Sequence, residues 1–85
     1  MNNKLSTQMK QILEMMKEHE GLDFIEQDLD NNENVKIFKI TWVNKSLLIF
    51  VLTEKCVIDL VDDGKLITSS TSPLTMVDSI IEYFQ

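Results

Sequence analysis

Two side chains and one loop in this sequence carry residue types that chemistry often uses. His19 is the only histidine and Cys56 the only cysteine. A thiol beside an imidazole can make a nucleophile–base couple, but the base needs a third group to orient it and the reaction needs donors for the oxyanion. Only two glycines, Gly21 and Gly64, are present, so no glycine-rich cradle exists. By pattern His19 falls in the last turn of a helix, where the dipole favours a cation. Cys56 opens an apolar run, where a thiol behaves as an inert small hydrophobe. The loop is Asp28-Leu-Asp-Asn-Asn-Glu-Asn34. Oxygen ligands at alternate positions suit calcium, but the sixth position, Gly in a calcium loop, is Glu33, and the twelfth, a bidentate Glu, is Lys39. The stretch therefore reads as a solvated turn, since Asn and Asp bond their own backbone and tolerate left-handed geometry. The remaining carboxylates crowd on exposed segments and lack the burial that tunes a pKa for acid–base work. The expectation is a chain that is not an enzyme, with no metal and no cofactor.

Charge narrows the partners. The net charge is −6, with eight lysines, no arginine and no alanine. Without arginine there is no bidentate reader of phosphate or guanine, and an acidic balance opposes direct nucleic-acid binding. Residues 14–33 hold eight acids (Glu14, Glu18, Glu20, Asp23, Glu26, Asp28, Asp30 and Glu33) against Lys17 alone. That segment carries −7 and the rest of the chain +1. The longest apolar run is six residues, too short to cross a membrane or to form a signal-peptide core. With one unpaired cysteine, this implies a cytoplasmic protein with no membrane association.

These residues must be positioned by local structure. Leu5, Met9, Ile12 and Met16 repeat at helical spacing and predict a helix over Leu5–His19, with Leu13 and Met15 on its flanks and Gly21 as its C-cap. Phe24–Asp28 has the composition of a short edge strand. Four strands follow: Val35–Val43, Ser46–Thr53, Cys56–Asp62 and Lys65–Ser69. They are joined by Asn44-Lys45, Glu54-Lys55 and Asp63-Gly64, of which Asp-Gly is the strongest hairpin signal. Ser72 and Pro73 suit the N-cap and first position of a last helix running to Phe84. Leu74, Val77, Ile81 and Phe84 form its apolar stripe, widened by Ile80, Met76 and Tyr83. The whole predicts one α+β domain, residues 1–85. It is an antiparallel meander of four strands, with the fifth edge strand as an option, flanked by two helices. A chain this short buries only about 60% of its unfolded surface, so self-association or a partner would help it.

Two-residue turns set a register in which one face is uniformly apolar: Phe38, Ile40, Trp42, Leu47, Ile49, Val51, Cys56, Ile58, Leu60 and Ile67. Two helices about 10 Å across cover one face of a sheet roughly 15–20 Å wide, so both are placed there. The other face keeps Leu48, Phe50, Leu52 and Val61 near its centre. Lys39, Phe50, Asp59 and Thr68 form one row across it. That face is more apolar than a free surface.

Two functional expectations follow. In the first, the acidic band 14–33 engages a basic surface of another protein, as would an inhibitor from a phage or mobile element occupying the nucleic-acid groove of a nuclease or defence enzyme. In the alternative, Lys39, Leu48, Phe50, Leu52, Asp59 and Val61 form a dimer or partner surface, and the protein is a homodimeric assembly or chaperone-like module. Five methionines would also suit an adaptable ligand pocket, though they serve equally as core filler.

Overall fold

The computed structural model describes residues 4–27 and 34–84. Helix α1 (Lys4–Glu20) leads into strand β1 (Asp23–Gln27). Strands β2 (Val35–Trp42), β3 (Lys45–Leu52), β4 (Val57–Asp62) and β5 (Lys65–Ser70) follow, and helix α2 (Pro73–Phe84) comes last. The five strands form one antiparallel sheet in sequence order, so the optional edge strand is real and β3 is central.

Both helices lie on one face. The core joins Met9, Leu13 and Met16 of α1 and Met76 and Ile80 of α2 to Phe38, Ile40, Leu47, Ile49, Val51, Ile58 and Leu60. The strand residues in that set alternate along β2, β3 and β4, so the sheet contributes one side only. Gly21, at φ 77°, ends α1 in the left-handed cap that its position predicted. Ser72 caps α2: its carbonyl accepts from Met76 N at 3.0 Å and its hydroxyl from Thr75 N at 3.4 Å. Both helices sit slightly rotated from their expected stripes. Leu13 rather than Ile12 is buried in α1, and Met15 is exposed. In α2 the line Met76–Ile80 enters the core, and Leu74 stays 69% exposed in the first turn.

The aromatic residues tie edges to core. Phe24 of β1 meets Phe38 edge-on at 6.2 Å. Trp42 stacks edge-on against Phe84 at 5.4 Å, and its Nε1–H donates to the Glu20 carbonyl at 3.1 Å. That bond satisfies one of the carbonyls left open at the end of α1.

The hairpins correct three sequence expectations. The β2–β3 turn is Val43-Asn44, not Asn44-Lys45, so Trp42 opposes Lys45 and the register moves by two residues. The β3–β4 connection is the four-residue turn Thr53–Cys56. Cys56 is therefore exposed at φ 54° in a turn, not buried on the core face, and its thiol lies 3.7 Å from the Thr53 carbonyl. Thr53 clamps this turn by donating from N and from Oγ1 to the Asn34 carbonyl, at 2.9 and 3.0 Å. In β5 a bulge opposite Leu60/Val61 inserts one residue. Ile67 keeps the helix side but is 37% exposed, and Thr68 turns to the same side, so that both line the groove against α2. A bulge bends an edge strand and blunts its pairing. The Asp28–Glu33 part of the solvated-turn expectation lies outside the described residues.

Two of the tight turns differ in strain. Asp63 and Gly64 both take positive φ, 51° and 79°, as a type I′ turn requires, and their residue types suit it. Val43 sits at φ 59°, a conformation that penalises a β-branched residue, and it is 82% exposed. Val43→Gly should therefore raise stability by about 1 kcal/mol, read as a higher urea midpoint at unchanged m-value.

Candidate functional site

The side of the sheet away from the helices is the candidate surface. Its side chains are set by strand parity, since every residue next to a core position points the other way. The central row runs Ile25, Lys39, Leu48, Val61 and Leu66 across β1 to β5. The neighbouring row runs Gln27, Ile37, Phe50, Asp59 and Ser69. Beyond it come Val35, Leu52 and Val57, and at the opposite end Asp23, Thr41 and Ser46. Among the described residues no helix lies over these rows; both helices pack on the other face.

All six predicted residues of this surface, Lys39, Leu48, Phe50, Leu52, Asp59 and Val61, are brought onto it. Their arrangement differs from the expected row. The two-residue shift at Val43-Asn44 moves Lys39 opposite Leu48, and Phe50 opposite Ile37. The β5 bulge puts Ser69 beside Asp59 in place of Thr68, and Ser69 Oγ donates to Asp59 Oδ1 at 2.6 Å. Of the ends of the central row, the sequence register places Leu66 on this face, whereas Ile25 was missed. Ile25 is 64% and Leu66 61% exposed, two large apolar side chains flanking the half-buried Leu48 and Val61. The alternation of Phe24, Ile25 and Glu26 in β1 was the available signal. Beside the central row a shallow depression of about 320 Å³ is lined by Gln27, Lys39, Ser46, Leu47, Leu48, Val61 and Asp63.

The described residues of the acidic band are divided between α1 and the two faces of β1. Glu14, Glu18 and Glu20 are exposed on α1. Asp23 and Glu26 lie on opposite faces of β1, and Glu26 pairs with Lys10 at 3.6 Å on the helix side. Asp28, Asp30 and Glu33 lie outside the described residues.

His19 and Cys56 are separated by the length of the sheet. α1 ends beside Trp42, whereas Cys56 lies in the turn at the far end of β3. Eight strand residues at about 3.4 Å each put the two ends roughly 25 Å apart, so they form no nucleophile–base couple.

A polar cluster that the sequence did not disclose closes the helix side at the Trp42 end. Tyr83 donates its hydroxyl hydrogen to Asp62 Oδ2, Lys45 Nζ lies 3.4 Å from the same oxygen, and the ammonium sits 4.5 Å from the Tyr83 ring centroid. The hydrogen bond from Tyr83, opposed by desolvation and assisted by Lys45, holds the Asp62 carboxyl below its usual range. The same hydrogen bond, with desolvation and the Asp62 charge, holds Tyr83 above its usual value. For Lys45 desolvation works downward, but the Asp62 charge and then Tyr83 leave it raised. A carboxylate made less basic and a phenol made less acidic are poor proton-transfer groups near neutral pH. The cluster is a latch between β3, β4 and α2. Beside it, a groove of about 450 Å³ runs between β5 and α2, lined by Ile67, Thr68, Ser79, Glu82 and Tyr83.

No helix among the described residues is long and apolar enough to cross a membrane. Comparison of the chain with protein-family models, with curated proteins and with solved structures finds no match in any of the three.

The latch dictates a pH profile. A lowered Asp62 contributes stability above its unfolded value near 3.8, lost as pH falls through the lower folded value. Raised Tyr83 and Lys45 contribute below their unfolded values of 10.0 and 10.5, and that contribution is lost as pH rises through the higher folded ones. In thermal melts over a pH series, Asp62→Asn should lower Tm by a constant amount between about pH 5 and pH 9. The gap to wild type should close at both extremes.

Proposed function

We propose that the chain is a non-catalytic protein–protein interaction module and that the sheet face opposite the helices is its binding surface. The observation that carries this reading is the central row. Five strands present Ile25, Leu48, Val61 and Leu66 in line with a single lysine, on the side that neither helix covers. Contiguous apolar surface of this kind marks association sites in small proteins. The separation of His19 from Cys56, and the pKa directions within the latch, support a role without catalysis.

The acidic helix supports a second reading. Glu14, Glu18 and Glu20 are all exposed and adjoin Asp23, so α1 can face a basic surface on another protein. An inhibitor that occupies the nucleic-acid-binding surface of a nuclease or defence enzyme would use it in this way. Binding of that kind weakens with salt.

Two charge variants separate the readings. Ile25→Glu with Leu66→Glu places acids on residues that are already exposed, and should abolish association, whether with another copy or with a captured protein. Glu14→Lys with Glu18→Lys and Glu20→Lys should leave association unchanged. The reverse pattern, with strong salt dependence, would transfer the function to the acidic helix. Association should be measured by sedimentation and by affinity capture at two ionic strengths.

A further inference from the structure

Resting on the sheet-face reading above, the geometry points to a second copy of this chain as the occupant, packed face to face about a two-fold axis. The face contains its own complement. Across its three central strands there are two charges, Lys39 on β2 and Asp59 on β4. They lie on opposite sides of β3 and one row apart, Lys39 next to Leu48 and Asp59 next to Phe50. Strand and row spacings put them about 12 Å apart, beyond ion-pair reach within one chain. Ser69 holds the Asp59 carboxylate from one oxygen.

Consider a two-fold axis in the interface that passes over β3 between Leu48 and Phe50, perpendicular to the line joining Lys39 and Asp59. It exchanges the two charged positions. Each Lys39 then lies over the Asp59 of the other copy, and the Leu48 and Phe50 side chains of both copies gather around the axis. The strands of the two sheets cross steeply, in the orthogonal class of sheet packing. Two-fold interfaces are self-complementary by construction. A purely apolar partner would instead bury Lys39 and Asp59 without counter-charges, which is costly.

Area and edges agree with this arrangement. A shared patch about 20 Å square, with side-chain relief, offers roughly 600 Å² per copy, or about 1,200 Å² in total, within the range of specific interfaces. Pairing through a sheet edge is disfavoured, because β5 is bulged at Ile67 and β1 is short and carries Asp23 and Glu26.

The test is sedimentation equilibrium of the wild type, Lys39→Asp, Asp59→Lys and the double exchange. The wild type should dimerise. Each single reversal sets like charges together at both pairs and should weaken dimerisation at least tenfold. The double exchange restores opposite charges and should recover it. A carbodiimide cross-link between Lys39 of isotope-labelled and Asp59 of unlabelled wild-type chains should appear by mass spectrometry, a readout that needs no variant to fold. A wild type monomeric at about 1 mM, single reversals that dimerise like wild type, a double exchange no better than the singles, or inter-copy cross-links lacking this pair would each overturn the two-fold arrangement. If the wild type is monomeric but binds another protein that Ile25→Glu with Leu66→Glu abolishes, the second copy is wrong and the interaction surface stands. If that variant changes no association of either kind, both fail.

Discussion

Everything in this molecule depends on the alternation of side chains along β3. Leu47, Ile49 and Val51 are fully or almost fully buried under the helices, while Leu48, Phe50 and Leu52 point away from them. A strand offers no third option, because its side-chain period is two. One central strand with six consecutive apolar residues therefore commits the protein to two apolar faces, and two helices suffice for only one. The face without a helix is the arithmetic remainder of that choice. The chain spends both helices, with Met9, Leu13, Met16, Met76 and Ile80, on one side.

This also explains what could be read from the sequence. The β2–β3 register was misplaced by two residues, yet every face assignment in β2 and β3 survived, because a shift of two preserves parity. The β5 bulge is a shift of one, and it reversed Thr68 while leaving Ile67 on the helix side. Nothing in Lys65-Leu-Ile-Thr-Ser-Ser70 marks a bulge, since the usual glycine is missing. Turn chemistry was equally informative and equally limited. Asp63-Gly64 carries its own instruction. The Thr53–Cys56 turn reads as the end of one strand and the start of the next, so Cys56 looked like a core residue when its backbone was in fact turning at φ 54°.

The candidate surface was legible from β2 to β5 and not at its β1 margin. Lys39, Leu48, Phe50, Leu52, Asp59 and Val61 follow from parity alone. Ile25 depends on a five-residue edge strand whose existence the local sequence allows but does not compel. The Lys45–Asp62–Tyr83 latch was invisible because it joins residues from three elements through tertiary packing. None of the three carries a local signal, and Lys45 reads from the sequence simply as a turn residue.

Trp42, the single tryptophan, stands where β2, the end of α1 and the end of α2 converge. Its indole is held by a backbone carbonyl on one side and by the Phe84 ring on the other. The molecule therefore carries its own optical gauge. Emission from this one ring senses the seating of both helices, and it lies on the opposite side of the sheet from Leu48 and Phe50. Fluorescence changes will record loosening of the helical layer, while events on the far face leave the indole largely dark. In this protein the colour of the light distinguishes unfolding from association.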